Sequence, residues 1–146
     1  MIGFNHDYWM KRAMTEAENA LAIDEIPVGA VVVCNDQIIS RTHNHTEKLT
    51  DVTAHAEILA ITSASSYLGA KFLNDCTLYV TLEPCLMCAG AIHWARFKEV
   101  VIAARDDKKG FSTYTENPFH PKTKVTWGVL EEESKILLKE FFAKKR

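Results

Sequence analysis

Two cysteines separated by two residues carry the most evident chemistry in this sequence. Cys85 and Cys88 lie three positions apart, so a helix would present both thiols on one face. Pro84 precedes them, and proline is favoured in the first turn of a helix, where its missing N–H would have no partner. The partial positive charge at a helix N-terminus stabilises the thiolate, which is the form that binds zinc. The same spacing also occurs in redox motifs and between buried thiols, so by itself it is only an indication of a metal site.

Two thiolates do not complete the coordination of a zinc ion. The other two cysteines, Cys34 and Cys76, have forty-one residues between them, and we expect both to be buried core thiols. His55 is the better third ligand, because three protein ligands leave a fourth position for water, as in catalytic zinc sites. Glu57, two residues further on, would then address that water instead of the metal. Taken alone, a histidine and a glutamate at a helix start are more often a cap and a complement to the helix dipole.

The length and composition indicate one globular domain spanning residues 1–146. Hydrophobic residues make up 47% of the chain and charged residues 25%, an ordinary balance for a globular protein. The sequence has no apolar run of membrane-spanning length, and its opening residues lack the pattern of a signal peptide, so we expect a cytoplasmic protein. The net charge is −2, yet bases outnumber acids seven to four over residues 96–124. This basic region could attract a polyanion or be ordinary solvated surface.

Strands and helices alternate along the chain. Apolar residues at helical spacing predict helices over residues 6–24, 54–68, 84–97 and 131–146. Apolar runs bounded by turn residues predict strands over residues 28–34, 38–42, 77–82, 99–104 and 125–130. This order favours an α/β fold with three layers, α/β/α, around a central five-stranded mixed sheet. In the last helix, the residues expected on the apolar side are Ile136, Leu137, Phe141 and Phe142.

The candidate metal ligands belong to a wider pattern. His-Ala-Glu at 55–57 is followed, after twenty-six residues, by Pro-Cys-Leu-Met-Cys at 84–88, and this pattern resembles the signature of zinc nucleobase deaminases. The resemblance implies a cytidine-deaminase-like fold with one Zn²⁺ ion per chain held by His55, Cys85 and Cys88. It also implies that Glu57 transfers protons while water replaces the exocyclic amine on C4 of cytosine or C6 of adenine.

Segments along nearly the whole chain are similar to the bacterial tRNA-specific adenosine deaminases. These segments are residues 6–10, 26–31, 53–58, 78–90, 104–106, 128–130 and 141–142. The resemblance implies hydrolysis of adenosine to inosine at the wobble position of a tRNA anticodon, by a homodimer whose two subunits both contact the RNA. By position, Asn44 would hydrogen-bond the flipped base and Val28 would contact its face. The backbone near Ala56 and Leu82 would complete the pocket, and Asp106 would address the sugar or the RNA backbone.

Some of these residues have simpler interpretations, and two positions depart from the family pattern. Asn44 could be a turn residue and Asp106 a cap or loop residue. His45 stands where the family usually has arginine. After Gly110 the family continues with small residues, whereas this chain has aromatics within residues 111–118, which could stack on loop bases or pack as a loop. We expect the aromatic pair 141–142 to be core more than base-stacking, and the basic residues 144–146 to contact phosphate or be solvated.

Two other functions fit parts of the pattern. Guanine deaminases of the same fold share the two metal motifs, but their first strand usually follows Gly-Pro-Phe-Gly, where this chain has Ile-Pro-Val-Gly at 26–29. A non-catalytic zinc-binding module would need a fourth ligand, and His43, His45 or His93 could supply it. We expect the tRNA enzyme over both.

Overall fold

A five-stranded mixed sheet in the order β2-β1-β3-β4-β5 lies at the centre of the molecule. Its strands are β1 (Gly29–Cys34), β2 (Gln37–His43), β3 (Cys76–Leu82), β4 (Glu99–Ala104) and β5 (Lys124–Trp127). The α-helices are α1 (His6–Ala22), α2 (Thr46–Leu49), α3 (Ala56–Leu68), α4 (Leu86–Ala95) and α5 (Glu131–Lys144), and a 3-10 turn covers Phe111–Thr113. The predicted α/β class and five-stranded mixed sheet are confirmed.

The computed structural model describes residues 4–145. Residues 1–3, on which part of the signal-peptide argument depends, and Arg146, a candidate phosphate contact, lie outside the described residues. Within the described range, no helix is both long and apolar enough to cross a membrane.

Strand direction brings the ends of the central strands together at one edge of the sheet. β1 is antiparallel to β2 and β3, whereas β3, β4 and β5 are mutually parallel. Leu82 at the end of β3 therefore lies opposite Ala104 at the end of β4, beside the start of β1. Open α/β sheets bind their ligands outside the carboxyl ends of such strands.

The alternation of side chains along β1 divides the core into two layers. Ala30 and Val32 belong to a cluster that includes the buried alanines of α3 and α4. Val31 and Val33 point to the opposite face, where α1 contributes Trp9 to a second cluster. Helix α5 contacts α1, β3 and β4 on this second side. The sheet therefore lies between two helical layers, as the alternating elements predict.

Several predicted boundaries differ from those observed. Helix α1 ends at Ala22, short of the predicted 24, because Asp24 adopts a left-handed φ of 64°. Helix α4 begins at Leu86, so Pro84 precedes the helix instead of occupying its first turn as expected. The last strand ends at Trp127, short of the predicted 130, because Gly128 turns the chain with a φ of 84°.

Two burial expectations are also corrected in part. Cys76 is fully buried as expected, but Cys34 is only half-buried at the end of β1. On α5, Phe141 is buried, whereas Phe142 and Ile136 are exposed. The helix is anchored by a polar contact instead: the Ser134 hydroxyl donates to the backbone oxygen of Thr81 at 2.6 Å.

Candidate active site

His55 lies immediately before α3 and is held there by contacts from β2. It is the N-cap residue, with an extended backbone (φ −75°, ψ 151°), and the helix itself begins at the next residue, Ala56. The Asn44 side-chain oxygen accepts the N–H of Ala56 at 2.9 Å. The Thr42 hydroxyl donates to the carbonyl oxygen of Ala56 at 2.7 Å. These bonds fasten the start of α3, and with it His55, to the end of the neighbouring strand.

The two cysteines occupy the corresponding position on α4. Cys85 is the N-cap, with an extended backbone, and Cys88 is buried within the first turn. The Cys85 carbonyl accepts the N–H of Ala89 at 2.8 Å, which begins the helical hydrogen-bond pattern. Both thiols therefore lie beside unpaired N–H groups at a helix N-terminus, where negative charge is favoured.

His55, Cys85 and Cys88 come together as a group that could hold a metal ion. Their ligand atoms all lie within 4.8 Å of one another. The Nδ1 atom of His55 is 3.6 Å from the Cys85 sulfur and 3.4 Å from the Cys88 sulfur. Tetrahedral zinc, with Zn–S of about 2.3 Å and Zn–N of about 2.0 Å, separates a sulfur and a nitrogen ligand by about 3.5 Å. The donor atoms and their spacing therefore fit zinc.

The thiols have opposite protonation tendencies. A hydrogen bond from Cys88, reinforced by one from His55, lowers the pKa of Cys85 to about 4. The same bond to Cys85, together with burial, raises the pKa of Cys88 far above its usual range. These contacts favour the thiolate form at Cys85, and a cation at this site would favour ionisation of the second thiol as well.

Glu57 lies in the first turn of α3, next to the three candidate ligands but outside their group. Its side chain is 4% exposed. Burial raises the pKa of its carboxyl to about 7, while His55 acts in the opposite direction. A carboxyl group with a pKa near the working pH is suited to accepting and returning protons.

The histidines considered as a fourth ligand are engaged elsewhere. His43 Nδ1 lies 2.8 Å from a Glu16 carboxylate oxygen, and His93 Nδ1 lies 3.0 Å from the Pro118 carbonyl oxygen. His45 Nδ1 lies 2.8 Å from the carbonyl oxygen of His43, and the two rings stack at 4.4 Å. Across residues 4–145, the metal-binding group has three members and no further His, Cys, Asp or Glu. Three protein ligands are typical of a catalytic zinc site rather than a structural one.

The residues expected to line a base pocket fall into two separate groups in the structure. Asn44, Ala56 and Val28 form the first, since the N–H of Asn44 donates to the Val28 carbonyl at 3.2 Å and its side chain accepts from Ala56. Leu82 and Asp106 form the second, on the wall of a cavity with a volume of about 730 Å³. The cavity is also lined by residues of the loop 105–109 and of α5.

Asp106, Phe111 and Tyr114, in the loop after β4, differ in their burial and in the contacts that they make. The Asp106 carboxylate accepts the N–H groups of Lys108 and Lys109 at 3.1 Å each, which are the contacts of a loop residue, and its contact with substrate stays a prediction. Phe111 is buried, with its ring 5.0 Å from that of Phe119, so it packs in the core. Tyr114 is 71% exposed and is free of that packing.

Sequence reasoning missed one buried carboxylate in this region. Glu83, which directly precedes Pro84, is 3% exposed and accepts two backbone N–H groups of the loop that follows β4. The available signal was an acidic residue at the end of a buried strand, which requires a hydrogen-bond partner in the fold.

Comparisons with known proteins agree with this site. Residues 4–104 match the cytidine and deoxycytidylate deaminase zinc-binding region. Proteins named tRNA-specific adenosine deaminase in Aquifex aeolicus (strain VF5) and Bacillus subtilis (strain 168) are each 44% identical over 96% of this chain, and the matches cover 95% and 90% of those proteins. The chain therefore belongs to the cytidine and deoxycytidylate deaminase family and, within it, to the tRNA-specific adenosine deaminases.

Solved structures separate this group from another branch of the fold. A structure from studies of A-to-I editing by tRNA:A34 deaminases has a TM-score of 0.84 and 41% identity, and covers 90% of this chain and 99% of that one. Guanine deaminase from Bacillus subtilis has 46% identity, but its TM-score is 0.67 and the match covers 70% of this chain and 66% of that one. Guanine deaminase from Nitrosomonas europaea covers 98% of this chain and 87% of that one with a TM-score of 0.81, but at 26% identity. Among these three structures, the tRNA enzyme thus combines the higher TM-score with 41% identity over 90% of this chain.

Proposed function

We propose that this protein hydrolyses adenosine to inosine at the wobble position of a tRNA anticodon, using zinc. The observation that carries the proposal is the meeting of His55, Cys85 and Cys88 at two helix N-termini, with buried Glu57 beside them. The near full-length similarity to tRNA-specific adenosine deaminases supports the choice of substrate.

His55, Cys85 and Cys88 would hold one zinc ion per chain. Bound by three protein ligands, zinc lowers the pKa of water at its open position from about 15.7 to about 7. Glu57 would take a proton from the attacking water and deliver it to the ring nitrogen next to the amine-bearing carbon. Glu57 would then take a second proton, from the hydroxyl group added to the ring carbon, and pass it to the amine, which leaves as ammonia as the carbonyl forms.

Asn44 would orient the base in this reaction. Its side-chain oxygen is fixed by the N–H of Ala56, which leaves the amide NH₂ group to donate to the substrate. Val28, joined to Asn44 through its backbone, would contact the face of the base. Leu82 would close the pocket from the end of β3, and Asp106 would lie beside the attached sugar or phosphate.

A basic surface beside this pocket would attract the RNA. The net charge of the chain is −2, so binding a polyanion requires local concentration of positive charge. Two adjoining cavities between the loop after β4 and α5 are lined by five lysines. These are Lys108, Lys109, Lys135, Lys139 and Lys145. Phe142, which lines both cavities and is 49% exposed, offers a ring on which a base could stack.

The exposed face of α4 supports the homodimer that the family resemblance implies. Met87 and Trp94 lie seven residues apart, on one face of the helix, and Trp94 is 69% exposed. Leu86 beside them is also exposed, and grouped exposed apolar side chains mark interaction surfaces. A Trp94→Glu variant should shift the molar mass measured by light scattering from dimer to monomer. An unchanged dimer would place the interface elsewhere.

The chain would act as one deaminase domain in the cytoplasm. One sheet takes strands from residues 29 to 127, with helices from both ends of the chain packed against it, which supports a single domain over residues 1–146. The cytoplasmic location is supported by the tRNA enzymes among the relatives.

The deciding experiment compares two substrates with the zinc-loaded protein. One is an anticodon stem-loop RNA with adenosine at the wobble position, assayed for inosine, and the other is free guanine, assayed for ammonia. A stem-loop with its adenosine moved elsewhere in the loop is the matched control. We expect inosine from the first RNA alone. Release of ammonia from guanine with an inert RNA would instead assign the protein as a guanine deaminase.

A further inference from the structure

Glu83 is a buried carboxylate that takes no part in the mechanism above. Its side chain is 3% exposed, and it lies at the end of β3, two residues before the candidate ligand Cys85. Among the described residues it forms no salt bridge. A buried carboxylate without a cation is costly unless hydrogen-bond donors satisfy it.

The donors that satisfy Glu83 all come from the loop after β4. One carboxylate oxygen accepts the N–H of Asp106 at 3.0 Å, and the other accepts the N–H of Ser112 at 2.8 Å. Both ends of the loop segment 106–112 are therefore bound to one side chain.

The backbone around Glu83 adds two further bonds to the same region. The N–H of Glu83 donates to the carbonyl oxygen of Ala104 at 2.8 Å, and the N–H of Phe111 donates to that of Pro84 at 2.9 Å. Gly110 packs directly on the carboxyl group, where a Cβ atom would overlap both Glu83 and the Asp106 carbonyl oxygen. The two residues preceding Cys85 and the loop 106–112 thus form one connected unit.

We propose that Glu83 is a positioning residue that holds the substrate-binding loop 105–112 in place relative to the metal site. The loop carries Asp106 and the exposed lysines Lys108 and Lys109, and it lines the cavity of about 730 Å³ that Leu82 also lines. This inference rests on the proposed function, since it assigns the loop to RNA binding. Releasing the loop would weaken RNA binding while leaving His55, Cys85 and Cys88 in place.

The bonds from the N–H groups of Asp106 and Ser112 to Glu83 are here called the clamp. The test compares two ways of breaking the clamp with one control substitution nearby. Glu83→Gln replaces one acceptor oxygen with an NH₂ group that faces an N–H donor, so one of the two bonds is lost. Gly110→Ala keeps the carboxylate but forces it apart from the loop. Thr115→Ala removes only an exposed hydroxyl that makes no hydrogen bond among the described residues, and is the control.

For each variant, KM and kcat are measured on the wobble-adenosine stem-loop, together with zinc content and melting temperature. We expect Glu83→Gln and Gly110→Ala to raise KM about tenfold. In both, kcat should change by less than about threefold and zinc per chain should stay constant. Thr115→Ala should match the wild type. A zinc-replete Glu83→Gln protein with unchanged KM would overturn the proposal, as would activity that falls only in step with lost zinc.

A second variant and a second measurement cover the cases in which Glu83→Gln does not fold or the protein has no activity on RNA. If Glu83→Gln does not fold, the KM of Gly110→Ala decides, because that variant keeps the Glu83 carboxylate. If the wild-type protein converts no RNA at all, the proposed function fails, and hydrogen exchange tests the clamp by itself. The amides of Asp106 and Ser112 should then exchange about tenfold faster in Glu83→Gln than in wild type. Equal exchange rates would show that Glu83 does not hold the loop.

Discussion

Asn44 illustrates how one side chain can serve both the fold and the substrate. Its oxygen accepts the N–H of Ala56 at 2.9 Å and so caps the start of α3. Its NH₂ group makes no hydrogen bond among the described residues, and we propose that it donates to the substrate base. The sequence placed Asn44 in the pocket only through family resemblance, because an asparagine after a strand is also an ordinary turn residue.

Replacing Asn44 with aspartate separates these two roles. Asn44→Asp keeps the oxygen that accepts from Ala56 but removes the donor, so folding and zinc content should be retained. We expect kcat/KM for the RNA to fall about tenfold to a hundredfold, as for loss of one buried hydrogen bond. Asn117→Asp is the matched control, since Asn117 also accepts a backbone N–H, from Phe119. Unchanged kcat/KM in Asn44→Asp would remove this residue from substrate recognition.

Cys76 shows the effect of burial on a thiol that binds no metal. Burial, aided by a hydrogen bond with Cys34, raises the pKa of Cys76 to about 12 from 9.0. Burial disfavours the charged form, so at pH 8 the thiolate fraction is about a thousandfold lower than for an ordinary thiol.

Iodoacetamide at pH 8 should therefore leave Cys76 unmodified in the folded protein and modify it after denaturation. Half-buried Cys34 is the internal control, and peptide mass spectrometry reports both sites. Equal modification of Cys76 in folded and denatured protein would contradict the burial described here.

At the scale of elements, the sequence predicted which segments are helices and strands better than where they begin. Helix α3 was expected from residue 54 and begins at Ala56, and α4 was expected from Pro84 and begins at Leu86. The spacing of apolar residues does not distinguish an N-cap from a residue of the first turn, because the apolar repeat of the helix begins after both positions. The difference matters here, since His55 and Cys85 both act as N-caps and carry candidate ligand atoms.

The buried face of α5 was predicted less well. Ile136 and Phe142 were expected on its inner side but are exposed, while Ser134 is buried. Ser134 lies on the buried side through its hydrogen bond to the Thr81 carbonyl, and a pattern of apolar residues contains no sign of such a bond.

Removing this bond should loosen the attachment of α5 to β3. Ser134→Ala leaves the buried Thr81 carbonyl without its partner, and we expect the free energy of unfolding to fall by about 1 to 3 kcal/mol. Lys135→Ala, the next residue, removes only exposed ion pairs with Glu131 and Glu132 and should cost less than about 0.5 kcal/mol. Urea unfolding measures both, and equal losses would argue against the anchor.

At the scale of the whole molecule, RNA binding must overcome a net negative charge. The lysines beside the Leu82 cavity are the groups assigned to phosphate contact. Each phosphate contact releases counterions, so the logarithm of the RNA affinity should fall with the logarithm of salt concentration. Lys108→Ala and Lys109→Ala should each reduce this slope by about 1. Lys122→Ala, outside both cavities, should not, and an equal effect at all three positions would exclude a localised RNA surface.

The group that could hold a metal ion was predictable because its residue types and spacing form a specific signature. His-Ala-Glu at 55–57 and Pro-Cys-Leu-Met-Cys at 84–88 lie far apart in sequence and meet only because α3 and α4 pack on the same face of the sheet. The Glu83 contacts could not be predicted in the same way, because they involve backbone N–H groups of an irregular loop, which no residue type marks.

The most direct test of the account measures zinc content and inosine formation in Glu57→Gln. We expect zinc per chain to equal that of the wild type, because Glu57 lies outside the group formed by His55, Cys85 and Cys88. Turnover should fall on the order of a hundredfold to ten-thousandfold, as for loss of a proton-transferring group. Cys88→Ala, in contrast, should lose both zinc and turnover. A zinc-replete Glu57→Gln protein that still forms inosine at the wild-type rate would contradict the proposed role of Glu57.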